Sequence, residues 1–282
     1  MSIQNSAKVA KIEKVSKIKM YKAEDSNTWG WHFHDEYEII YIEEGSANFT
    51  INGSEAVYEK GSIIFIGNLD EHMMSPVKEP YIRYVTIINS GFFEQFVAEP
   101  MLCSIFKRRT KNFSSGVRLT EEDSGFVLQN LELSLIDYKT ADSFHENYCM
   151  ASILKILIRL FRHNRAKFPD FANRHSSQTI IPVQKFLDEN FSQDIMLDEL
   201  SSMFFINKYH LSRMFKETTG YSIKHYIMLK RIMMAKDMLY CTGNSISQIA
   251  MECGFNSTSN FIRAFKNIEK VTPLCFRKKY RD

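Results

Sequence analysis

Residues 205–216 read FINKYHLSRMFK, and residues 255–266 read FNSTSNFIRAFK, so one pattern occurs twice at a spacing of 50 residues. Phenylalanine, arginine, phenylalanine and lysine recur in register, and Leu211 of the first copy corresponds to Phe261 of the second. A repeat of this length indicates one structural unit that is used twice. Because each copy ends in Arg-x-Phe-Lys on a basic helix, the repeat favours two contacts with one extended partner.

Each copy predicts a short helix, a tight turn and a second helix, which is the helix-turn-helix arrangement. Asn207 and Ser257 are the predicted N-caps of the second helices, and Leu211, Met214 and Phe215 form the predicted buried stripe of the first of these helices. Base edges are read from the N-terminal part of such a helix. The predicted DNA-contacting residues are therefore Asn207, Lys208, Tyr209, His210, Ser212, Arg213, Lys216, Thr258, Ser259, Asn260, Arg263 and Lys266.

The distance between the two copies also fits double-stranded DNA as a partner. Residues 222–241 have core spacing for one uninterrupted helix, which is ~30 Å long. Successive major grooves on one face of B-DNA lie ~34 Å apart. Residues 178–282 carry 15 Lys and Arg against 10 Asp and Glu, so the basic part of the chain is the part with the repeat.

The N-terminal half has the pattern of a small antiparallel β-barrel or sandwich. Short apolar stretches at 38–43, 47–51, 56–59, 62–66 and 81–88 alternate with the turn dipeptides Glu44-Gly45, Asn52-Gly53 and Lys60-Gly61. From about residue 92 the spacing becomes helical, with amphipathic helices predicted at 120–138 and 142–162. The polar range 164–178 predicts a linker between domains 1–163 and 179–282, and Pro182 predicts a helix start.

Four polar residues of the N-terminal half are predicted to converge. His32 and His34 alternate and Glu38 keeps the same parity, so the three side chains share one face of a strand, and His72 follows a later turn. Three imidazoles and a carboxylate inside a barrel are a possible divalent-metal site.

Other features exclude whole classes of protein. No apolar stretch has the length of a membrane span, and the N-terminus carries lysines where a signal peptide needs an apolar core, so a cytoplasmic protein without membrane contact is expected. The five cysteines have no Cys-x-x-Cys spacing, which argues against a disulfide framework or a zinc finger.

The segment from about Pro182 to Tyr280 resembles the DNA-binding domain of the AraC/XylS family of transcription regulators. The resemblance is carried by residues 211–216, Gly220, Arg231, Ala235, Leu239, Ile246, Ile249-Ala250, Gly254-Phe255, residues 261–266, Thr272-Pro273 and Phe276-Arg277. It implies an all-α domain with two helix-turn-helix units that bind successive major grooves. The chain departs from the family pattern at Lys270, where glycine is usual, and at Met196, where a capping residue is common.

The N-terminal half resembles the cupin fold through His32-x-His34, Glu38, Gly45 and the segment 61–72. In metal cupins such residues hold the ion of an enzyme, whereas in AraC-type regulators they line a pocket for a small effector, typically a sugar. The resemblance therefore implies a non-enzymatic, cofactor-free regulator, with Trp31, Tyr41 and Arg83 as further effector-binding residues and with helices that pair two subunits into a homodimer. The alternatives are a metal-dependent cupin enzyme with a DNA-binding tail and a regulator of an apolar ligand such as a fatty acid.

Overall fold

A computed structural model describes residues 17–97, 99–107, 114–165 and 174–281. Its strands are β1 (Ile18–Ala23), β2 (Trp29–His32), β3 (Glu36–Ile51), β4 (Ser54–Glu59), β5 (Ser62–Ile66), β6 (His72–Asn89) and β7 (Gly116–Arg118). Its helices are α1 (Ser90–Phe96), α2 (Pro100–Lys107), α3 (Glu121–Thr140), α4 (His145–His163), α5 (Arg174–Asn190), α6 (Leu197–Met203), α7 (Lys208–Thr219), α8 (Ile223–Cys241), α9 (Ile246–Glu252), α10 (Thr258–Glu269) and α11 (Pro273–Arg281).

The N-terminal domain is built on one antiparallel sheet, as the turn pattern predicts. Its strand order is β1-β6-β3-β5-β7, with β2 added on β6 and β4 added on β3. The long strands β3 and β6 pair along almost their whole length and connect the two halves of the sheet. The C-terminal domain is helical throughout its described residues, so the predicted division into a β domain and an α domain is confirmed.

The predicted turn at Glu44-Gly45 is wrong, because β3 continues through both residues. The pairing of β3 with β6 shifts register between Ile42 and Ala47, which is the signature of a β-bulge. Gly45 has φ +79°, and a Cβ at this position would run into the carbonyl oxygens of Lys78 and Pro80 on β6. Glycine is therefore needed here to let two strands approach each other, and the segments predicted as two strands form one.

The sheet has two apolar faces with different partners. Its outer face, which includes Tyr37, Ile39 and Tyr41, packs against α1 to α4. Its inner face, which includes Ile40, Ile42 and Phe49, forms a second core within the sheet. Helices α3 and α4 confirm that the two segments predicted at 120–138 and 142–162 are helical.

The helical domain begins earlier than predicted. Helix α5 starts at Arg174, inside the range assigned to the linker, and residues 166–173 of that range lie outside the described residues. Pro182 therefore lies inside α5, and the prediction that it begins a helix is wrong. The domain boundaries at 163 and 179 stay predictions. Within the described residues, no helix is both long enough and apolar enough to cross a membrane.

Candidate DNA interface and effector site

The two repeat copies form two helix-turn-helix units, α6-turn-α7 and α9-turn-α10. Leu211, Met214 and Phe215 of α7 are buried, and so are Phe261 and Phe265 of α10. These side chains share one core with residues of α5 and α8. The predicted buried stripe of α7 is confirmed, the corresponding stripe of α10 is buried as well, and the opposite stripes face solvent.

Both second helices begin at the predicted caps. Asn207 Oδ1 accepts a hydrogen bond from Tyr209 N at 3.0 Å, and Ser257 Oγ accepts one from Asn260 N at 3.2 Å. These bonds satisfy backbone N–H groups that have no partner within the helix. All the predicted DNA-contacting residues lie on these caps or on exposed or half-exposed parts of α7 and α10. Their contact with DNA stays a prediction.

Each candidate arginine lies next to the residue one helical turn before it. Arg263 Nη2 donates to Asn260 Oδ1 at 2.9 Å, and Arg213 Nη2 lies 3.4 Å from His210 Nδ1. The pairs occupy equivalent positions in the two units. Lys208 is different, because its Nζ lies 2.9 Å from Asp198 Oδ1 of α6, so part of its charge is balanced within its own unit.

The turns of the two units differ by one residue, and the structure corrects the register there. Phe205 has φ +54° and Gly254 has φ +83°, and each lies at the same left-handed position of its turn. The residues that follow make equivalent bonds, from Ile206 N to Ser201 O and from Phe255 N to Ala250 O, both 2.9 Å long. Phe205 therefore corresponds to Gly254 rather than to Phe255, and its side chain is 96% exposed.

The structure brings His32, His34, His72 and Glu38 together. One nitrogen atom from each of the three imidazoles lies within 4.8 Å of the others. The ring of His72 is 4.1 Å from that of His32 and 5.1 Å from that of His34, measured between centroids. His34 lies two residues beyond the end of β2, so the convergence depends on the loop after this strand as well as on strand parity.

Glu38 links two of these histidines. Its Oε2 lies 3.1 Å from His34 Nε2 and 3.5 Å from His72 Nε2. Burial favours the neutral carboxyl group, but the two imidazoles hold the pKa of Glu38 far below its usual value. Burial would also lower the pKa of His34, yet its bond to Glu38 and the charge of that residue raise it. Burial lowers the pKa of His32 to about 4, so this imidazole is neutral at pH 7.

Arg83 is the largest fully buried side chain of the described residues. Its Nη1 donates to Asp25 O at 3.0 Å, and its Nη2 lies 3.3 Å from Asp25 Oδ2. The guanidinium group also lies over the rings of Trp29 and Tyr81, at 4.9 and 4.7 Å from their centroids. Arg83 pairs with Ile42 across the two long strands, so it shares the inner face with the histidine cluster.

Two predicted effector-binding residues do not belong to this cluster. Tyr41 lies on the outer face, because it has the opposite parity from Glu38, and its hydroxyl lies 2.6 Å from Ser124 Oγ of α3. Trp31 is 53% exposed, and the tryptophan near the site is Trp29, whose ring is 6.3 Å from that of His32. Tyr41 is a wrong prediction, since a side chain on the outer face cannot line the inner one.

Sequence reasoning also missed residues at the site, namely Asp25, Trp29 and Tyr81. Alternation from Arg83 would have found Tyr81, which is two residues earlier on the same strand. The position of Trp29 depends on a register irregularity between Trp29 and His32, which no pattern in the sequence indicates.

Several buried polar atoms at this site have no hydrogen-bond partner among the described residues. They are Glu38 Oε1, Tyr81 Oη and Arg83 Nε. An unsatisfied buried donor or acceptor costs about 1–3 kcal/mol, and the great majority of such atoms in proteins are paired with protein or water. The inner face thus presents a set of donors and acceptors that bound water or a polar ligand would satisfy.

Comparison with known proteins matches both domains. Residues 21–102 match the model of the AraC-like ligand binding domain, and residues 200–279 match that of a helix-turn-helix domain. The chain belongs to the AraC family of transcription regulators. Its relatives within this family include the HTH-type transcriptional activator RhaS of Mannheimia succiniciproducens, which is 24% identical over 86% of this chain and 87% of the relative. RhaS of Klebsiella pneumoniae is 23% identical over 83% and 82% of the two chains.

Solved structures of ToxT from Vibrio cholerae have the same two-domain fold. One of them superposes with a TM-score of 0.59 over 94% of this chain and 98% of ToxT, at 14% sequence identity. A structure of ToxT bound to an unsaturated fatty acid gives a TM-score of 0.56, over 92% of this chain and 94% of ToxT, at 15% identity. At such identities the likeness extends to the fold alone. The matches to the two family models identify this AraC family chain as a DNA-binding regulator with an N-terminal ligand-binding domain.

Proposed function

We propose that this regulator responds to a neutral, polyhydroxylated small molecule, a carbohydrate, that binds on the inner face of the sheet. The binding residues are His32, His34, Glu38, His72 and Arg83, together with Trp29 and Tyr81. Binding alters the affinity of α7 and α10 for double-stranded DNA, since an effector shifts a conformational equilibrium when it binds one state better than the other. The chain acts as a regulator without catalytic activity, as expected for a relative of the transcriptional activator RhaS.

The unsatisfied polar atoms are the observation that carries this proposal. Glu38 Oε1 can only accept a hydrogen bond at neutral pH, Arg83 Nε can only donate one, and the Tyr81 hydroxyl can do both. A ligand that satisfies all three needs several groups that both donate and accept. The hydroxyl groups of a sugar have this property, and the indole of Trp29 beside them supplies an apolar wall.

The charges of the site favour a neutral ligand. Glu38 is paired with His34, and Arg83 is paired with Asp25. A charged ligand would add an unbalanced charge beside the buried side chains of Glu38 and Arg83, and a buried uncompensated charge is costly. The carboxylate of a fatty acid would in addition lie close to the ionised Glu38. The fatty-acid alternative is therefore disfavoured at this site, although ToxT binds an unsaturated fatty acid.

A divalent metal ion is the second candidate, because three imidazole nitrogens lie within 4.8 Å of one another. His32, His34 and His72 would be its ligands, and Glu38 would supply an oxygen or orient the imidazoles. Such an ion would act as a Lewis acid or hold a sugar through its oxygen atoms. Elemental analysis of the purified chain distinguishes the candidates, since about one ion per chain supports this one.

We expect a panel of neutral sugars to contain compounds that raise the melting temperature of the wild-type chain. A ligand at 100 times its dissociation constant stabilises the folded state by about 2.7 kcal/mol. Glu38→Gln should abolish the shift, because it removes the buried charge that holds His34 and His72 and replaces an acceptor by an amide. Differential scanning fluorimetry measures both quantities.

Tyr41→Phe is the matched control for this experiment. It removes the hydroxyl that contacts Ser124 on the outer face and leaves the inner face unchanged. The sugar-dependent shift should therefore persist in this variant, even where the variant itself melts lower. A panel in which fatty acids or metal salts stabilise the wild-type chain and no sugar does would contradict the carbohydrate proposal.

We also propose that the chain forms a homodimer through α3 and the start of α4. Four large apolar side chains of these helices are exposed, namely Leu133, Ile136, Phe144 and Tyr148. Single exposed apolar residues are ordinary, whereas a group on two packed helices is typical of a protein interface. The pairing of subunits through these helices agrees with what the family resemblance implies.

Ile136→Glu is expected to shift the chain from dimer to monomer, because a buried unpaired carboxylate disfavours the interface. Sedimentation velocity at several protein concentrations measures the change. Val77→Glu is the control, since Val77 is as exposed as Ile136, at 61% against 62%, but lies on β6. A wild-type chain that sediments as a monomer, or a dimer that Ile136→Glu leaves intact, would contradict the assignment.

A further inference from the structure

Two loops of the N-terminal domain take part both in the effector site and in the contact with the helical domain. The first loop, residues 33–35, joins β2 to β3 and contains His34. The second loop, residues 67–71, leads into β6 and ends before His72. The loops are bonded to each other, since Leu69 N donates to His34 O at 2.7 Å.

The first loop reaches the helical domain through an ion pair. Asp35, next to His34, has its Oδ2 2.5 Å from Lys230 Nζ of α8. Lys230 is buried and also pairs with Asp188 of α5, at 3.2 Å. On the other side of His34, Phe33 is buried in the core of the helical domain, where Lys236 Nζ lies 4.8 Å from its ring centroid.

The second loop reaches the helical domain through hydrogen bonds. The hydroxyl of Tyr221, which follows α7, donates to Leu69 O at 2.7 Å and lies 3.1 Å from Asn52 Oδ1. Asn52 Nδ2 donates to Asp70 Oδ1 at 2.7 Å, and the carbonyl oxygen of Asp70 lies 2.8 Å from His72 Nδ1. A short chain of bonds thus connects His72 with the C-terminal end of α7. Helices α7 and α10, which are predicted to contact base edges, are called the reading helices below.

One of the helical elements that receive these contacts, α8, lies between the two reading helices along the chain. Helix α8 separates the first helix-turn-helix unit from the second, and it carries both Lys230 and Lys236. A cavity of about 530 Å³ between the domains is lined by Phe33 and Leu69, by Tyr221 after α7, and by Asn267 near the end of α10. Across this cavity the two loops face the C-terminal ends of both reading helices.

We propose that Asp35–Lys230 and Tyr221–Leu69 couple the histidine site to DNA binding, with the two loops as the connecting element. A change at His34 or His72 moves the loops, and the loops carry α8 and the end of α7 with them. The inference rests on the proposed function for the identity of the stimulus, but the coupling itself is a property of the two contacts. A coupling of this kind between sites changes affinity by about 5- to 150-fold.

A double-mutant cycle on DNA affinity tests the coupling with no effector present. The probe is a duplex that the full-length wild-type chain selects from a random-sequence pool. Dissociation constants are measured for the wild type, Glu38→Gln, Asp35→Asn and the double variant. In the wild-type background, Glu38→Gln is expected to change the dissociation constant by about fivefold or more. In the Asp35→Asn background, the change in the logarithm of the dissociation constant should be less than half as large.

Asp188→Asn is the matched control, because it removes the other partner of Lys230 without touching the domain contact. The effect of Glu38→Gln should persist in that background. Tyr221→Phe tests the second contact independently and should weaken the effect as Asp35→Asn does. An effect of Glu38→Gln that is absent, or that is equal in all backgrounds, overturns the coupling. If no sugar raises the melting temperature, the proposal of a carbohydrate effector is overturned. The dissociation constants of the double-mutant cycle, which are measured without an effector, do not depend on that result.

Discussion

Gly254→Ala is expected to lower the free energy of unfolding of the helical domain by about 2–5 kcal/mol. Gly254 has φ +83°, where an alanine costs about 1–2 kcal/mol. A Cβ at this position would in addition overlap the backbone of Ser192, which connects α5 to α6. Backbone atoms cannot rotate away as a side chain does, so overpacking adds about 1–3 kcal/mol. Denaturant unfolding followed by circular dichroism measures the loss.

Gly220→Ala separates the two contributions. Gly220 has the same φ of +83°, but, apart from its two chain neighbours, no described residue has an atom within 4 Å of the place of its Cβ. This variant should lose only the conformational part, about 1–2 kcal/mol. If both variants lose the same free energy of unfolding, the overlap with Ser192 makes no contribution to the loss. The comparison matters for function, because Gly254 lies in the turn that sets the angle between α9 and α10.

The sequence predicts the helical domain well because its pattern is local and repeated. Caps at Asn207 and Ser257 and the inner residues of α7 and α10 lie where 3.6-residue periodicity and capping chemistry assign them. Lys270 departs from the expected glycine, yet it has φ +62° and ends α10 as Gly220 ends α7. The helix end is thus fixed by the surrounding packing, at a cost of about 1–2 kcal/mol for a non-glycine residue.

The sheet was harder to predict where its geometry depends on partners distant in sequence. The dipeptide Glu44-Gly45 is typical of a turn. The bulge that Gly45 forms instead depends on Lys78 and Pro80 on the facing strand. The alignment of Phe205 with Phe255 follows identical letters, whereas the backbone matches Phe205 with Gly254. In both cases the role of a residue with positive φ depends on contacts that the local sequence does not indicate.

The sequence predicts that the three histidines and Glu38 converge, and the structure confirms this convergence, but it does not bring Trp31 and Tyr41 to the cluster. Parity along β3 puts Glu38 on the inner face and Tyr41 on the outer one, so strict alternation already contradicted the choice of Tyr41. The irregular pairing of β2 brings in Trp29 in place of Trp31. The pair between Asp35 and Lys230 joins residues 195 positions apart, and no periodicity in either segment indicates it.

Arg213→Ala is expected to weaken binding to a selected duplex by about 1–3 kcal/mol, which corresponds to a ~5- to 150-fold rise in the dissociation constant. Arg213 is exposed on the solvent-facing stripe of α7, where a guanidinium group can donate two bonds to a guanine. The loss should depend on sequence, so that discrimination among base-pair variants of the duplex falls as well. Fluorescence anisotropy at fixed salt concentration measures both.

Lys216→Ala is the control for general electrostatics. Lys216 lies near the end of α7, where it can contact a phosphate. Loss of such a contact would weaken binding to all sequences alike and lower the slope of log K against log salt concentration by about one. Arg213→Ala should instead change sequence preference. An unchanged dissociation constant for Arg213→Ala at matched salt would contradict its assignment as a base-reading residue.

Arg263→Ala is expected to cost less than Arg213→Ala on the same duplex. The first reading helix presents Lys208, His210 and Arg213, whereas the second has Thr258, Ser259 and Asn260 around its arginine. The carbonyl oxygen of the Asn260 side chain already accepts from Arg263, at 2.9 Å, so part of the hydrogen-bonding capacity of both groups is used within the helix. Helix α8 links the two helix-turn-helix units, so the second unit binds at a high effective concentration once the first is bound. A weak contact by the second unit therefore still adds affinity. A larger loss for Arg263→Ala would assign the main base contacts to the second unit.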